Sequence, residues 1–200
     1  MLRAQDLAVW RGERCLFEAL HFELRAGQLA LLVGPNGSGK TTLLRVLAGL
    51  AEPTAGTATW NGTTIGELES DQRGALAYRG HLEALKRDLT VTENLEFHAA
   101  LWGGEADCRE ILTELRLADA AHTRVRYLSA GQRRRAALAT LRVSRAKLWL
   151  LDEPSTNLDS DGRAVLREWT TRHLAAGGLA VVATHQPDEF ARPGVLMVEL

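Results

Sequence analysis

The stretch LALLVGPNGSGKT, residues 29–41, carries the clearest indication of the fold. Its first five residues are apolar, and such a run is typical of a strand buried on both faces. The loop that follows, residues 34–41, fits the pattern G-x-x-x-x-G-K-[ST] in full. The next segment predicts a helix over residues 41–50 that ends near Gly49 and before Pro53. A strand, a glycine-rich loop and a helix in this order predict a phosphate-binding loop in an α/β protein.

The residue types of this loop suit phosphate chemistry. Glycines let backbone N–H groups turn inward around an anion, and the start of the helix adds a partial positive charge. Lys40 would reach the terminal phosphates of a nucleotide, and the Thr41 hydroxyl would ligate Mg²⁺. The candidate nucleotide-binding residues are Gly34, Pro35, Asn36, Gly37, Ser38, Gly39, Lys40, Thr41 and Thr42.

Composition narrows the class of protein. The 200 residues carry 24 Lys and Arg against 25 Asp and Glu, and the pI is about 6.6, so no nucleic-acid partner is expected. Cys15 and Cys108 lack C-x-x-C spacing, which favours reduced thiols. No apolar run reaches the ~18 residues of a membrane helix, and the first residues do not resemble a signal peptide. We expect a chain that is soluble by itself and reaches a membrane only through a partner.

Strand and helix patterns alternate along the rest of the chain. Residues 1–33 predict two or three strands, and Asn61-Gly62 predicts a hairpin turn. The apolar runs 148–151 and 179–184 predict two later strands, separated by a helix over 161–175. Strands that alternate with helices indicate a mostly parallel core sheet.

The middle of the chain has a helical pattern instead. Thr90 and Glu93 fit a capping box, and apolar residues behind them fall on one helical stripe. A second amphipathic helix is predicted from about Asp107. We therefore expect one domain over residues 1–200, an α/β fold with antiparallel N-terminal strands and an inserted helical lobe at about 83–140.

Three later residues predict the rest of a hydrolytic site. Asp152 and Glu153 directly follow an apolar strand, at the end where a parallel sheet places its ligand crevice. Asp152 would hold Mg²⁺, and Glu153 would orient or deprotonate an attacking water. His185 ends the last apolar strand at the same edge, which favours a contact with the γ-phosphate over a solvated histidine.

The stretch LSAGQRRR, residues 128–135, predicts another helix start. Ser129 suits the N-cap position, yet three arginines occupy the first turns, where the helix dipole disfavours cations. Two interpretations of Arg133, Arg134 and Arg135 stay open at this point: they serve an anion near the helix start, or they form a solvated face.

The order of these motifs is informative as a whole. A phosphate loop is followed by LSAGQ, by LLDEP, by STNLD at 155–159 and by a strand-end histidine. In this order the chain resembles the ATP-binding subunits of ABC transporters, P-loop NTPases that bind ATP and Mg²⁺. The resemblance implies that two copies meet head to tail around ATP. The signature residues Ser129, Ala130, Gly131 and Gln132 of one copy would then contact the nucleotide of the other.

The resemblance assigns further positions one at a time. Trp10 matches the aromatic residue that stacks on adenine, although the sequence also allows a core tryptophan. Asp159 matches an acid of the loop at the dimer interface. Two residues depart from the family pattern. Ala130 stands where glycine is usual, and His81 stands at the position of a glutamine that contacts Mg²⁺ and water; imidazole is a poor ligand for Mg²⁺.

The segment Tyr-x-Gly-His at 78–81 and the LSAGQRRR stretch make the chain similar to one branch, the ATP-binding subunit of the haem exporter of bacterial cytochrome c maturation. The branch implies integral membrane partner subunits, a periplasmic haem chaperone and a peripheral position on the cytoplasmic face of the inner membrane. Leu82, Ala84 and Leu85 would receive the membrane partner, or belong to the lobe core. Two alternatives remain open, namely an ABC transporter subunit for another cargo and a soluble ABC ATPase without a transport role.

Overall fold

The computed structural model describes residues 1–80, 84–102, 104 and 107–200. It contains two sheets. Strands β1–β9 span Leu2–Arg11, Arg14–Leu24, Leu29–Val33, Ala55–Trp60, Thr63–Thr64, Leu76–Arg79, Leu148–Asp152, Leu179–Ala183 and Leu196–Glu199. Helices α1–α6 span Lys40–Leu47, Ser70–Arg73, Val91–Leu101, Cys108–Glu114, Ala130–Val143 and Ser160–Ala175.

The larger sheet is parallel and has the strand order β6-β7-β8-β3-β9. Strands β3, β7 and β8 are the apolar runs that the sequence predicted, and every residue of β7 and β8 is buried. Helix α1 contacts β7 and β8, so it packs on one face of this sheet. The predicted α/β architecture with a parallel core sheet is confirmed.

The smaller sheet is antiparallel, with the order β2-β1-β4-β5. The predicted hairpin joins β4 to β5, where Trp60 pairs with Thr63. Asn61 and Gly62 both have positive φ, at 50° and 91°, as a type I′ turn requires. The N-terminal antiparallel strands are therefore also as predicted.

The chain divides into two compact units. The first comprises Met1–His81, Lys147–Pro154 and Thr171–Leu200, and it contains both sheets. The second comprises Leu82–Ala146 and Ser155–Thr170. It includes the segment 83–140 that the sequence marked as helical, and it also takes in the beginning of α6.

The second unit is held together by the contacts among α3, α4 and α5. The capping box at the start of α3 is present, because Thr90 accepts from the Glu93 N–H and the Glu93 carboxylate accepts from the Thr90 N–H. Val91, Leu95 and Ala99 are buried along one stripe of α3. Helix α4 begins after Asp107, whose side chain caps it. Across the described ranges, none of the helices combines the length and the apolar character that crossing a bilayer demands.

Candidate active site

The phosphate loop connects the end of β3 to the start of α1, and its backbone requires glycine at two positions. Gly34 has φ of 145°, and a Cβ there would lie 2.4 Å from the Leu200 carbonyl oxygen. Gly39 has φ of 111°, and a Cβ there would lie 3.0 Å from the Phe17 ring. Side chains are excluded at both places, because the loop backbone packs closely against Leu200 and Phe17 there.

The Lys40 side chain is folded into this loop. Only 7% of the residue is exposed, and its ammonium donates hydrogen bonds to the carbonyl oxygens of Gly34 at 2.8 Å and Pro35 at 3.0 Å. Because the loop carbonyl oxygens accept hydrogen bonds from the buried ammonium, its positive charge is held at the centre of the loop. The buried Ser38 hydroxyl has no hydrogen-bond partner among the residues described. Both features suit a loop that closes around a phosphate group.

The Thr41 hydroxyl reaches across to the end of β7. It donates to the Asp152 carboxylate at 2.9 Å, and Asp152 is 2% exposed. A hydroxyl and a carboxylate oxygen are the ligands that Mg²⁺ takes in phosphate sites, where phosphate oxygens and water complete its shell. Burial, and after it the negative charge of the same carboxylate, raises the pKa of Tyr78 on the neighbouring strand β6. The donor set at Thr41 and Asp152 therefore fits Mg²⁺.

Glu153 and His185 lie side by side at the ends of two adjacent strands. Asp152 pairs with Ala183 in the parallel register of β7 and β8, so the residues that follow leave the sheet at the same edge. The Glu153 carboxylate lies 3.3 Å from the His185 Nε2, with side-chain exposures of 13% and 48%. Glu153 has a left-handed backbone with φ of 49°, which is rare for a residue other than glycine. Such a conformation is common where a side chain must be aimed at a functional site.

These groups share one cleft of about 460 Å³. Sequence reasoning missed part of its wall, which the β1–β2 hairpin supplies. Arg11, Arg14 and Leu16 line the cleft, and Arg14 donates to the Gly37 carbonyl oxygen at 3.1 Å. The cleft is also lined by Asn36, Gly37, Gly39, Lys40, Thr41, Thr42, Asp152, Glu153 and His185. Two arginines in the short stretch RGER at 11–14, directly after Trp10, were the available signal for an anionic ligand.

Trp10 belongs to the surface. It is 44% exposed, and its backbone N–H donates to the Thr54 hydroxyl at 3.0 Å. The alternative of a core tryptophan is therefore wrong. An exposed indole beside the cleft-lining Arg11 is compatible with stacking on a base, which stays a prediction.

In the second unit, the predicted helix start at LSAGQ is present. Ser129 accepts from the Gln132 N–H at 3.1 Å, and the Gln132 side chain accepts from the Ser129 N–H at 2.9 Å, which makes a second capping box. Ala130 is exposed. A Cβ added at Gly131 would meet no atom within 4 Å among the described residues, and this glycine does not have positive φ. Packing and backbone conformation thus give no reason for glycine at this position.

The three arginines that follow are half-buried, and each donates to a backbone carbonyl oxygen. The acceptors are Leu128 for Arg133 at 2.7 Å, Thr156 for Arg134 at 3.1 Å and Leu115 for Arg135 at 2.9 Å. The interpretation as a solvated face is wrong, because these guanidinium groups join parts of the same unit.

The remaining predicted positions have different outcomes. The Asp159 carboxylate accepts from the Gly162 N–H at 2.8 Å, so it caps the start of α6. Ala84 is exposed and Leu85 is half-buried. His81 and Leu82 lie outside the described residues, and their predicted roles stay predictions.

Comparison with known proteins agrees with this geometry. A family model described as ABC transporter matches residues 17–156. The cytochrome c biogenesis ATP-binding export protein CcmA of Nitrosomonas europaea is 46% identical over 189 residues, which cover 93% of this chain and 89% of the relative. The protein of the same name from Shigella flexneri is 41% identical over 200 residues, covering 100% of this chain and 96% of the relative.

Solved structures with the same fold are more distant in sequence. An ATP-binding subunit of an ABC transporter has a TM-score of 0.86 at 23% identity, covering 99% of this chain and 85% of that one. The dimeric post-hydrolysis state of the ATP-binding cassette MJ0796, bound to ADP and Pi, has a TM-score of 0.79 at 23% identity, with 100% and 96% covered. The family that the order of the motifs predicted is thereby confirmed. The chain belongs to the ABC transporter family, within the group of the cytochrome c biogenesis ATP-binding export proteins.

Proposed function

We propose that this chain is the ATP-hydrolysing subunit of a membrane export complex for c-type cytochrome biogenesis, and that the complex handles haem. One observation carries the hydrolytic part, namely the Glu153 carboxylate 3.3 Å from His185 in the cleft that the phosphate loop lines. The biogenesis part rests on relatives of that name at 41–47% identity over nearly the whole chain. Haem as the cargo rests on the resemblance to one branch of the family.

In this proposal the chain's own residues divide the chemistry among them. The phosphate loop and Lys40 bind the β- and γ-phosphates of ATP. Thr41 and Asp152 would hold Mg²⁺, which would supply positive charge to neutralise the phosphates. Glu153 orients a water molecule and accepts its proton, a role worth about 10²–10⁴-fold in rate. His185 steadies the Glu153 carboxylate and contacts the γ-phosphate. Arg11 and Arg14 line the cleft, and Trp10, directly before Arg11, would stack on the adenine base.

The helix start at Ser129 and Gly131 completes the site of a second copy. Its capped but otherwise open N-terminus is suited to an anion, and Gly131 leaves room for one to approach. A helix dipole contributes only about 0.3–1 kcal/mol at a surface, so ATP bound between two copies must supply most of the dimer's affinity. Hydrolysis would then loosen the pair. Asp159 is proposed to contribute to the same interface. His81, at the position of the usual glutamine, is proposed to donate a hydrogen bond there and not to ligate Mg²⁺.

The proposed location is the cytoplasmic face of the inner membrane, where the chain is peripheral. Integral membrane subunits would bind the region around Leu82, Ala84 and Leu85, and a periplasmic haem chaperone would receive the cargo. We expect Leu85→Asp to leave ATP binding intact and to abolish assembly with the membrane subunits. A normal yield of complex from that variant would contradict this docking surface.

One experiment tests the function as a whole. A tagged Glu153→Gln protein, expressed in its native cell, should bind Mg-ATP, hydrolyse it at about 10²–10⁴-fold lower rate and persist in its ATP-bound assembly. Mass spectrometry would identify what co-purifies from membranes in mild detergent, with Lys40→Ala/Glu153→Gln as the control that cannot retain ATP. Small membrane subunits together with a haem-bearing periplasmic protein are expected.

Other outcomes separate the alternatives. Co-purification of membrane subunits without haem proteins would support a transporter subunit and contradict haem as the cargo. Ribosomes or DNA would favour a soluble ABC ATPase without a transport role. A chain that remains monomeric with ATP and Mg²⁺, even beside its membrane partners, would contradict the paired-site arrangement.

A further inference from the structure

The start of β2 contacts the phosphate loop at two places. The Arg14 guanidinium donates to the Gly37 carbonyl oxygen at 3.1 Å. Further along the loop, a Cβ at Gly39 would lie 3.0 Å from the Phe17 ring and 3.2 Å from the Leu16 Cβ. The hairpin and the loop both belong to the first unit, so these contacts lie within one compact part of the chain.

The Arg14 contact restrains the peptide group between Gly37 and Ser38. In a trans peptide the carbonyl oxygen and the following N–H point in opposite directions. Arg14 binds the carbonyl oxygen on one side of this group. On the other side, the Ser38 N–H donates to the Pro35 carbonyl oxygen at 3.3 Å. The peptide plane is therefore held from both sides, and the hold from outside the loop comes from Arg14.

Gly37 depends on such a contact more than the other loop glycines do. Its φ of 78° lies in the left-handed region, which glycine enters about as readily as the right-handed one. Gly34 and Gly39 are fixed by close packing, as described above. At Gly37, apart from its own chain neighbours, the one described atom within 4 Å of a Cβ would be the Arg14 Nη2, at 3.6 Å. Packing thus leaves this glycine free to change conformation, and the Arg14 hydrogen bond opposes the change.

The hairpin itself gains nothing from an arginine at position 14. Arg14 pairs with Arg11 in the register of β1 and β2, and both side chains line the cleft. Like charges directly opposite each other destabilise an antiparallel pair. The Gly37 carbonyl oxygen, which is the negative end of its peptide dipole, offsets this repulsion for Arg14. The contact with the loop is therefore what accounts for the arginine.

Resting on the proposed binding of ATP at this loop, we infer that Arg14 is a positioning residue for the phosphate loop. It keeps Gly37 in the left-handed conformation before a nucleotide arrives, so less conformational entropy is lost when the loop closes around phosphate. Arg14 therefore raises the affinity for the phosphate chain as such, whatever nucleoside it carries.

Hydrogen exchange of the nucleotide-free protein tests the loop directly. In Arg14→Gln, backbone amides over residues 34–41 should exchange about fivefold faster than in the wild type, as expected when one hydrogen bond that restrains them is lost. Arg25→Gln is the matched control. Arg25 is an exposed arginine just beyond the other end of β2, where it pairs with Glu23, and its removal should leave loop exchange unchanged. Unchanged loop exchange in Arg14→Gln would overturn the inference.

Affinities for three ligands show where Arg14 acts. Calorimetric titrations with Mg²⁺ present should give the same increase in Kd, about fivefold, for ATP, ADP and tripolyphosphate in Arg14→Gln. In steady state, KM for ATP should rise more than kcat falls. A loss confined to ATP would indicate a direct contact with the γ-phosphate instead. A loss for both nucleotides but not for tripolyphosphate would indicate a contact with the nucleoside, and either result would overturn the inference.

The same measurements separate this inference from the proposed function. Wild-type protein that binds neither ATP nor tripolyphosphate would contradict the proposed function itself. Wild-type binding that Arg14→Gln retains in full would contradict only the positioning role. Because Arg14 is exposed, we expect Arg14→Gln to fold, and urea unfolding should give a free energy of unfolding close to that of Arg25→Gln.

Discussion

The Thr41 hydroxyl donates a hydrogen bond of 2.9 Å to the Asp152 carboxylate, although 111 positions of sequence separate the two residues. Strand β8 lies between β3 and β7 in the sheet, so the two side chains do not come from neighbouring strands. Helix α1 contacts both β7 and β8, and Thr41 in its first turn thereby reaches the end of β7. The order of strands in the sheet thus assembles a pair of oxygen ligands that Mg²⁺ accepts.

Thr41→Val removes this hydroxyl at nearly constant volume. We expect ATP hydrolysis to need at least about tenfold more Mg²⁺ for half-maximal rate, since one of two protein ligands is lost. Titration of the ATPase rate with MgCl₂ measures the shift. Thr41→Ser keeps the hydroxyl and should titrate as the wild type does. An unchanged Mg²⁺ requirement in Thr41→Val would remove Thr41 from the metal site.

Gly131→Ala should separate folding from function. Alanine has the higher helix propensity and meets no described atom within 4 Å, so the free energy of unfolding should rise by up to about 1 kcal/mol. The added methyl group would occupy the space through which an anion approaches the helix start, so ATP hydrolysis should fall. Urea unfolding and steady-state kinetics on one preparation test both effects. Full activity in the stabilised variant would show that the glycine serves no ligand.

His185→Gln should reduce hydrolysis while ATP binding persists. Glutamine retains a hydrogen-bond donor but not the imidazole geometry beside Glu153, and we expect a loss of about tenfold in kcat, as for one polar contact to the transition state. Fluorescence titration with a nucleotide analogue measures binding. His21→Gln, at an exposed histidine paired with Asp6 on the antiparallel sheet, is the control. Weaker nucleotide binding with unchanged kcat would reassign His185 to ground-state binding.

His173 should make the stability of the fold depend on pH. Its ring stacks on Trp149 with centroids 4.0 Å apart, and the Nε2–H donates to the Leu179 carbonyl oxygen at 3.0 Å. Burial lowers the pKa of His173 below its usual value of about 6.5, so the unfolded chain binds the proton more readily. Stability should therefore decline as pH falls below about 6.5. Urea unfolding between pH 7 and pH 5 measures the slope, and His173→Phe should flatten it; an identical slope would contradict this assignment.

The pattern of this chain predicted a large share of the fold because its signals are local. Gly34 and Gly39 have positive φ, which favours glycine, and Asn61-Gly62 is a residue pair that favours the turn it forms. The capping boxes at Thr90 and Ser129 provide hydrogen-bond partners for N–H groups at the helix starts within four residues. The cleft wall at Arg11 and Arg14 was missed because two arginines in a hairpin indicate an anionic ligand at most and do not show which part of the chain lies opposite them. The arginine-rich start of α5 was left undecided for the same reason, as its acceptors at Leu115 and Thr156 come from other parts of the chain.

The sequence by itself determined which residue types were available for phosphate and Mg²⁺ chemistry and at which strand or helix ends they stand, because strand and helix periodicity and turn residues act over a few positions. Tertiary structure decided which of them meet. The parallel register of β7 and β8 brings Glu153 to His185, and the order of strands with the placement of α1 brings Thr41 to Asp152. The contacts of Arg135 with Leu115 and Asp159 form only through the packing of α4, α5 and the start of α6. Distances between side chains far apart in sequence depend on the packing of several elements together, so no short stretch of residues determines them.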